Sequence, residues 1–438
     1  DWKTGWNHGI EWVSPDKAFK VHIGGRTQFD SVFIHQDGNA LAGAGGGVGT
    51  PTRFDQDAVD FRRARLRADG TIFDSIEYLA EFDLVNSLSR DAGGAANTEF
   101  NTTNIPAPTD LWWNFKDIPW IGNIRVGNHK EWIGFEHMIS SRFLNFMERS
   151  YNQDLFSGPF NNGFTPGISA WNTYAEERGM WAIGLFKNTQ NVFAFNVGDG
   201  EYATTGRVTY LLIDDKECHQ LLHIGAAGSV RDPDNGTMRF RTRSLRNGPA
   251  NLATIYADTG NFHADTQWLS GLELAGIFGA FSFQAEWIGS WCTDTATLAA
   301  GALPPGLGGG GTKGTAGGTI FTQGYYAELH YFLTGESRDY NRKEGAFTRI
   351  VPNRNFRWKN GCFEPGAWQI LFRYANADLN DKGLQGGLVQ DYTVGVNWFL
   401  NPNMKIQWNY VCTERDFKFA GVDGGLIHGF GMRLAHDF

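Results

Sequence analysis

Along most of this chain, apolar and polar residues alternate one for one. Between Lys17 and Ile34, the odd positions Phe19, Val21, Ile23 and Phe29 are apolar, and Lys20, His22, Arg26, Gln28 and Asp30 fill even ones. Ser75–Val85 sets Ile76, Tyr78, Phe82 and Leu84 against Glu77, Glu81 and Asp83, and Asn403–Thr413 sets Met404, Ile406, Trp408 and Tyr410 against Lys405, Gln407 and Asn409. A period of two is the mark of a strand with one apolar and one wet face. The last stretch, Leu426–Phe438, keeps the rhythm, with Phe430, Met432 and Leu434 alternating with Gly429, Gly431 and Arg433, and stops on an aromatic residue. A closing strand that ends on an interfacial aromatic fits an outer-membrane barrel better than a soluble sheet.

The pattern predicts about sixteen strands, each near the roughly ten residues of a tilted membrane-spanning strand. They fall at 18–34, 57–72, 75–86, 108–116, 122–130, 168–175, 178–187, 203–213, 219–229, 264–278, 280–291, 319–333, 365–376, 390–400, 403–412 and 427–437. The connections mostly alternate between long (35–56, 87–107, 131–167, 230–263, 292–318, 413–426) and short (Phe73–Ser75, Asp117–Ile121, Gly279, Asn401–Pro402). Long loops at one end and tight turns at the other are characteristic of transmembrane barrels, and an even strand count puts both termini on the short-turn side. One connection breaks the rhythm: 334–364 stands where a short turn is expected, and it is too charged to face lipid.

Composition narrows the reading. No run of about 18 apolar residues offers a membrane-spanning helix, so an integral chain must close its backbone in a barrel. The net charge of −9 argues against nucleic acid as a partner. No signal peptide precedes Asp1, as in a processed form. Four cysteines (Cys218, Cys292, Cys362, Cys412) leave open two disulfides or none. His129, Glu136 and His137 lack metal-site spacing, and no nucleophile–base motif stands out, so neither a metal nor any other cofactor is expected. Glu77 with Glu81 resembles a glycosidase pair, but acids lining a lumen explain them more simply.

An anion in a narrow pore trades water for charge-assisted hydrogen bonds, which guanidinium groups supply, and several weak sites in a row let it leave again. Runs of arginine are therefore the candidate chemistry. Arg239, Arg241 and Arg243, flanked by Arg231 and Arg246, share one face of an extended segment. Arg338, Arg342, Arg349, Arg354 and Arg357 crowd the anomalous connection. On the second strand Arg62 has the opposite parity to Arg63, Arg65 and Arg67, which requires a bulge or an interface. The segment after 130 carries Lys130, Arg142 and Arg149 against Glu131, Glu136, Glu148 and Asp154, which is no basic collar by count.

Several stretches resemble the phosphate-selective porin O/P family: FRRARLRADGTI with EYLAEFDL, PTDLWW, VGNHKEWIGFEHMISSRFLNFMERS, YFLTGESRDY and GAWQILFRYANADLND, then GVNWFLN and NY. The resemblance implies a homotrimeric sixteen-stranded porin with three connections folded into the lumen, here 131–167, 230–263 and 334–364. It implies that Arg62 and Arg63 stand at an anion constriction with Asp110 as its carboxylate. It places Arg142 at the central basic position, where lysine is usual. The expectation is an all-β, 16-stranded antiparallel transmembrane barrel spanning 1–438 as one domain, in the outer membrane of a diderm bacterium. It would be no enzyme, would touch lipid and no nucleic acid, and would pass small anions such as phosphate. A general diffusion porin, or a secreted carbohydrate-binding or carbohydrate-cleaving β-protein, are the alternatives.

Overall fold

The computed structural model describes residues 1–36, 56–85, 87–89, 102–104, 106–158, 163–188, 201–233, 236–243, 256–298, 313–416 and 425–438. Sixteen strands form the wall: β1 (Phe19–Gln36), β2 (Gln56–Ile72), β3 (Ile76–Asp83), β4 (Ala107–Ile118), β5 (Gly122–Lys130), β6 (Phe164–Tyr174), β7 (Gly179–Lys187), β8 (Tyr202–Asp215), β9 (Gln220–Arg231), β10 (Thr266–Phe278), β11 (Phe281–Leu298), β12 (Lys313–Phe332), β13 (Ala367–Asp381), β14 (Leu384–Asn401), β15 (Met404–Asp416) and β16 (Gly425–Asp437). Each pairs antiparallel with its sequence neighbour, and β16 closes on β1 from Ile427↔Gln36 to Asp437↔Arg26. Closure leaves the wall no open edge, so its backbone groups pair from strand to strand without water. A closed barrel with an apolar outer face does not fit the alternative of a secreted carbohydrate-binding or carbohydrate-cleaving β-protein.

Parity decides which way each side chain points. On β16, Arg433 is fully buried and Asp437 nearly so, whereas Phe430, Met432 and Leu434 are exposed toward lipid. The tight ends use unusual backbone: in the three-residue turn between the paired Ile72 and Ile76, Phe73 and Asp74 both have positive φ (50° and 57°). The period-two pattern does not predict the N-terminal hairpin Lys3–Trp6 with Ile10–Val13, whose second arm pairs with β1 at Ile10↔Ile23 to Val13↔Lys20 and so prolongs the wall past the end of β16. Strands β11 to β14 outrun their predicted lengths toward the long-loop end. None of the four cysteines forms a disulfide.

The lumen is filled from within. Met147, Tyr151, Leu155 and Phe156 from the connection after β5 pack with Phe240, Tyr256 and Phe262 and with wall residues such as Val32, Ile288 and Val411. Burying such side chains contributes roughly 1.5–3 kcal/mol each, enough to hold a loop inside a polar barrel.

Candidate functional site: the lumenal constriction

The site begins with a fault in the ladder. Gln28 pairs with Arg63 but Phe29 pairs with Phe61, so Arg62 is an extra, bulged residue on β2. The bulge resolves the parity conflict, because both Arg62 and Arg63 are buried inside the barrel. They converge on Glu148, which accepts from Arg62 at 2.9 and 3.2 Å and lies 3.5 Å from Arg63. Arg433 approaches the same carboxylate at 2.7 Å, chelates Asp30 with two 2.6 Å bonds and caps the Met147 carbonyl.

Polar side chains from neighbouring strands then fasten the loop 131–158 to the wall. Lys405 donates to Leu144 O (2.6 Å), Gln407 and Asn397 to Asn145 O (2.7 and 2.8 Å), and Arg373 to Glu148 O (2.9 Å), while Asn409 accepts from Met147 N (2.8 Å). On the facing side Arg26 donates to Ser141 Oγ (2.7 Å) and Gln28 to Ser141 O (3.0 Å). The loop backbone is thereby pinned beside β1, with Arg142 next to the pinned Ser141.

A cavity of about 440 Å³ remains between loop and wall. Its lining carries eleven cationic side chains (Lys20, Arg26, Arg63, Arg65, Arg67, Arg125, Lys130, Arg142, Arg149, Arg243, Lys343) against six carboxylates (Asp69, Glu77, Asp110, Glu148, Asp154, Glu344). Many of these cations are neutralised locally: Arg65 binds Asp83 and Glu81, Arg67 binds Asp69, and Arg26 binds Glu81. Five, Lys343 and the four that follow, have no ion-pair partner among the described residues. Lys130 donates to the carbonyls of His137 and Ile139 (2.6 and 3.1 Å), and Arg149 to those of Glu136 and Ile139 (3.0 and 2.5 Å). Arg125 stacks over Trp112 at 4.3 Å, and Arg142 lies 5.5 Å from the Phe143 ring. Carbonyls and π-faces position a cation without cancelling its charge.

Burial, then the proximity of Arg26 and Arg67, pushes Arg142 down to about 9, and burial takes Arg149 to about 10, so both stay charged at neutral pH. His137 is held well below its ordinary value by burial and by Lys130, and stays neutral. Glu136 moves the other way, to about 7, because burial and the nearby Glu328 outweigh Arg373.

The loop's tally of acids misleads because two of its four acids, Glu131 and Glu136, do not line the cavity, and the two that do, Glu148 and Asp154, are paired with arginines. Glu131 faces Arg231 at 3.0 Å, Glu136 faces Arg373 at 3.8 Å, and Glu148 is clamped by arginines, while Lys130, Arg142 and Arg149 line the cavity. Asp110 also lines it and accepts from the Trp112 indole at 3.1 Å.

The arginines of the other two connections are placed differently from one another. Arg243 lines the cavity, with its amide on Asp154 at 3.1 Å. Arg239 is chelated by Asp258 (2.9 and 2.5 Å), and Arg241 pairs in register with Asp258. Arg246 lies outside the described residues. Arg338 is buried behind the loop, bonded to Asn145 and to Phe143 O (3.2 Å). Arg342 chelates Asp214 with two 2.6 Å bonds, Arg349 binds Asp437 and the Pro402 carbonyl, and Arg354 and Arg357 are exposed. The connection 334–364 is thus divided. Its first part reaches the lumen, where Arg207 donates to the carbonyls of Glu344 and Gly345 (both 2.7 Å), and its last part is an exposed hairpin.

Arg26, Arg125, Lys130 and Arg149 are cavity residues that a search for arginine runs passes over. Parity alone places Arg26 inward with Gln28. Arg125 is masked because β5 carries a positive-φ glycine, Gly127 (130°), and little alternation around it.

A family described as phosphate-selective porin O and P matches residues 47–422. Porin O of Pseudomonas aeruginosa is 26% identical over 98% of this chain and 91% of its own length. An uncharacterised protein of Caulobacter vibrioides is 27% identical over 92% of this chain and 70% of its own. In fold, the chain is similar to the outer-membrane channel DcaP of Acinetobacter baumannii (12% identity, 97% of this chain, 99% of that one, TM-score 0.52).

Proposed function

The chain belongs to the phosphate-selective porin O and P family, a non-enzymatic channel of the outer membrane of a Gram-negative bacterium, and from that premise we propose that it is a homotrimer that passes small anions, phosphate preferentially, through the constriction between β1, β2, β4, β5 and the loop 131–158. The observation that carries the reading is the excess of positive charge on the cavity lining, concentrated in Arg125, Lys130, Arg142 and Arg149, within a protein of net charge −9. A confined, low-dielectric lumen strengthens that field and raises the local concentration of anions.

Phosphate would exchange water for the N–H groups of Arg142 and Arg149, whose fork geometry suits its oxygens. Asp110 would accept the proton of a hydrogen phosphate, and the remaining carboxylates would keep the ion from being trapped, since conduction needs sites weak enough to release. Arginine at position 142 keeps the charge of the lysine usual in the family but presents a planar fork.

The test is the zero-current potential of the purified protein in a planar bilayer under a KCl gradient, repeated with phosphate. Anion selectivity with block by phosphate in the millimolar range supports the proposal. Anion selectivity without block makes the channel a general anion pore. Cation selectivity refutes the reading of the lining. Heat-modifiable migration of a single high-mass species tests the trimer.

A further inference from the structure

The connection between β12 and β13 does not end in the lumen. After Ile350, which packs inside with Phe332 and Phe399, the chain crosses the short-turn rim and lies against the outside of the wall. Phe356 N donates to Leu400 O at 2.6 Å, and the Phe356 ring meets the outward-facing Trp398 edge-on at 5.1 Å. Trp398 stacks on Trp368 at 5.0 Å, and both indoles donate to Pro365 O (2.6 and 3.2 Å), which fastens the return into β13.

Between these fastenings Arg357–Lys359 pairs with Cys362–Glu364 as a two-stranded hairpin, turned at Asn360 and Gly361, both at positive φ (52° and 77°). Trp358 stands opposite Phe363, with ring centroids 5.7 Å apart. Strand parity puts Phe356, Trp358 and Phe363 on one face and Arg357 and Lys359 on the other. Trp358 is 76% exposed and Phe363 58%, and no residue of the hairpin lines the cavity.

We propose that this hairpin is a membrane foot: it lies in the plane of the periplasmic leaflet, seats Trp358 and Phe363 among lipid chains near the headgroups, and offers Arg357 and Lys359 to phospholipid phosphates. Three observations select lipid as the occupant. The aromatic face is continuous, through Phe356 and Trp398, with the wall surface that already faces lipid. The hairpin sits at the short-turn end, which is the periplasmic end of such barrels. Its opposite face carries Arg357 and Lys359 with the single acid Glu364 across from Arg357, a net positive complement to an anionic headgroup layer. Tryptophan and phenylalanine beside arginine and lysine form the amphipathic composition that rests at an interface. Each cation adds about fivefold to association with an anionic surface.

The test uses the full-length channel with one reactive thiol on the foot: Trp358→Cys in a Cys218→Ser, Cys362→Ser, Cys412→Ser background, in which only the buried Cys292 remains, labelled with an environment-sensitive fluorophore. Phe363→Cys is made in parallel, and an unchanged single-channel conductance shows that each barrel is intact. In vesicles of phosphatidylethanolamine and phosphatidylglycerol, the expected result is at least twofold quenching by shallow spin-labelled lipid and little quenching by aqueous iodide. Adding Arg357→Glu and Lys359→Glu is expected to lower the preference for spin-labelled phosphatidylglycerol over the zwitterionic lipid about tenfold or more. Quenching by iodide as strong as for the free dye overturns the proposal, because the hairpin then stands in water. Protection from both quenchers also overturns it, because a neighbouring subunit then covers the hairpin. Either outcome is independent of whether the pore prefers phosphate.

Discussion

Replacing Arg142 by glutamate reverses one charge on the cavity lining without removing any ion pair of the wall. Arg142 holds only a weak contact to Ser140 Oγ at 3.4 Å and the nearby Phe143 ring, so the substitution does not orphan a buried carboxylate. For an anion passing about 6 Å from the charge, one unit is worth about 0.7 kcal/mol at the dielectric of water and about 2.8 kcal/mol at an effective dielectric near 20. Reversal doubles the difference, to about 1.4–5.5 kcal/mol, and the lower bound alone is a factor of about ten. The chloride-to-potassium permeability ratio, read from zero-current potentials in a KCl gradient at about 0.1 M, should therefore fall at least tenfold. Arg142→Lys should keep most of the selectivity and weaken phosphate block. Arg354→Glu, an exposed position outside the cavity, should change the ratio little. A shift below about twofold for Arg142→Glu, with conductance and trimer migration intact, would refute the placement of Arg142 at the narrowest point.

Three further outcomes follow from the packing. Arg433→Ala leaves Asp30 and part of Glu148 as buried carboxylates without their shared guanidinium, and should cost about 3–5 kcal/mol, read as a lower thermal midpoint and noisy, variable conductance as the loop loosens. Glu136 holds its proton up to about pH 7 in the folded barrel but only to its ordinary 4.5 when unfolded. Stability should therefore fall as pH rises from about 4.5 to 7, by about 3 kcal/mol at most, and Glu136→Gln should flatten that slope in midpoints taken between pH 5 and 8. In the folded channel, a maleimide should label Cys218 and Cys362 quickly and the buried Cys292 only after unfolding; early modification of Cys292 would contradict the inward packing of β11.

The sixteen strands, their inward and outward faces and the odd connection at 334–364 were readable because each rests on a local rule. Strand side chains alternate with period two, so a polar residue among apolar ones declares its face wherever the ladder is regular. The Arg62–Arg63 conflict was readable in the same way, since two adjacent residues cannot point inward unless the ladder slips. The N-terminal hairpin escaped because its arms are only four residues each, too short for a period to register.

What charge does in the lumen was not readable, because it depends on partners far apart in sequence. Arg433 meets Glu148 across 285 positions and Arg338 meets Asn145 across 193, so no window of sequence shows which cations are cancelled. Acid and base counts placed Glu131, Glu136 and Glu148 beside Lys130 and Arg142, yet the loop's fold turns Glu131 and Glu136 away from the cavity and pairs Glu148 with arginines, while the bases line the cavity. In the same way, arginines that look equivalent on paper, Arg239, Arg342 and Arg349, are absorbed by Asp258, Asp214 and Asp437. The amino-acid sequence by itself determined a closed barrel with a greasy outside and a wet inside, because alternation is a property of each strand alone. Only the tertiary structure decided which charges remain uncompensated in the lumen and which aromatic hairpin lies outside it, because electrostatic cancellation and burial are properties of distances between strands.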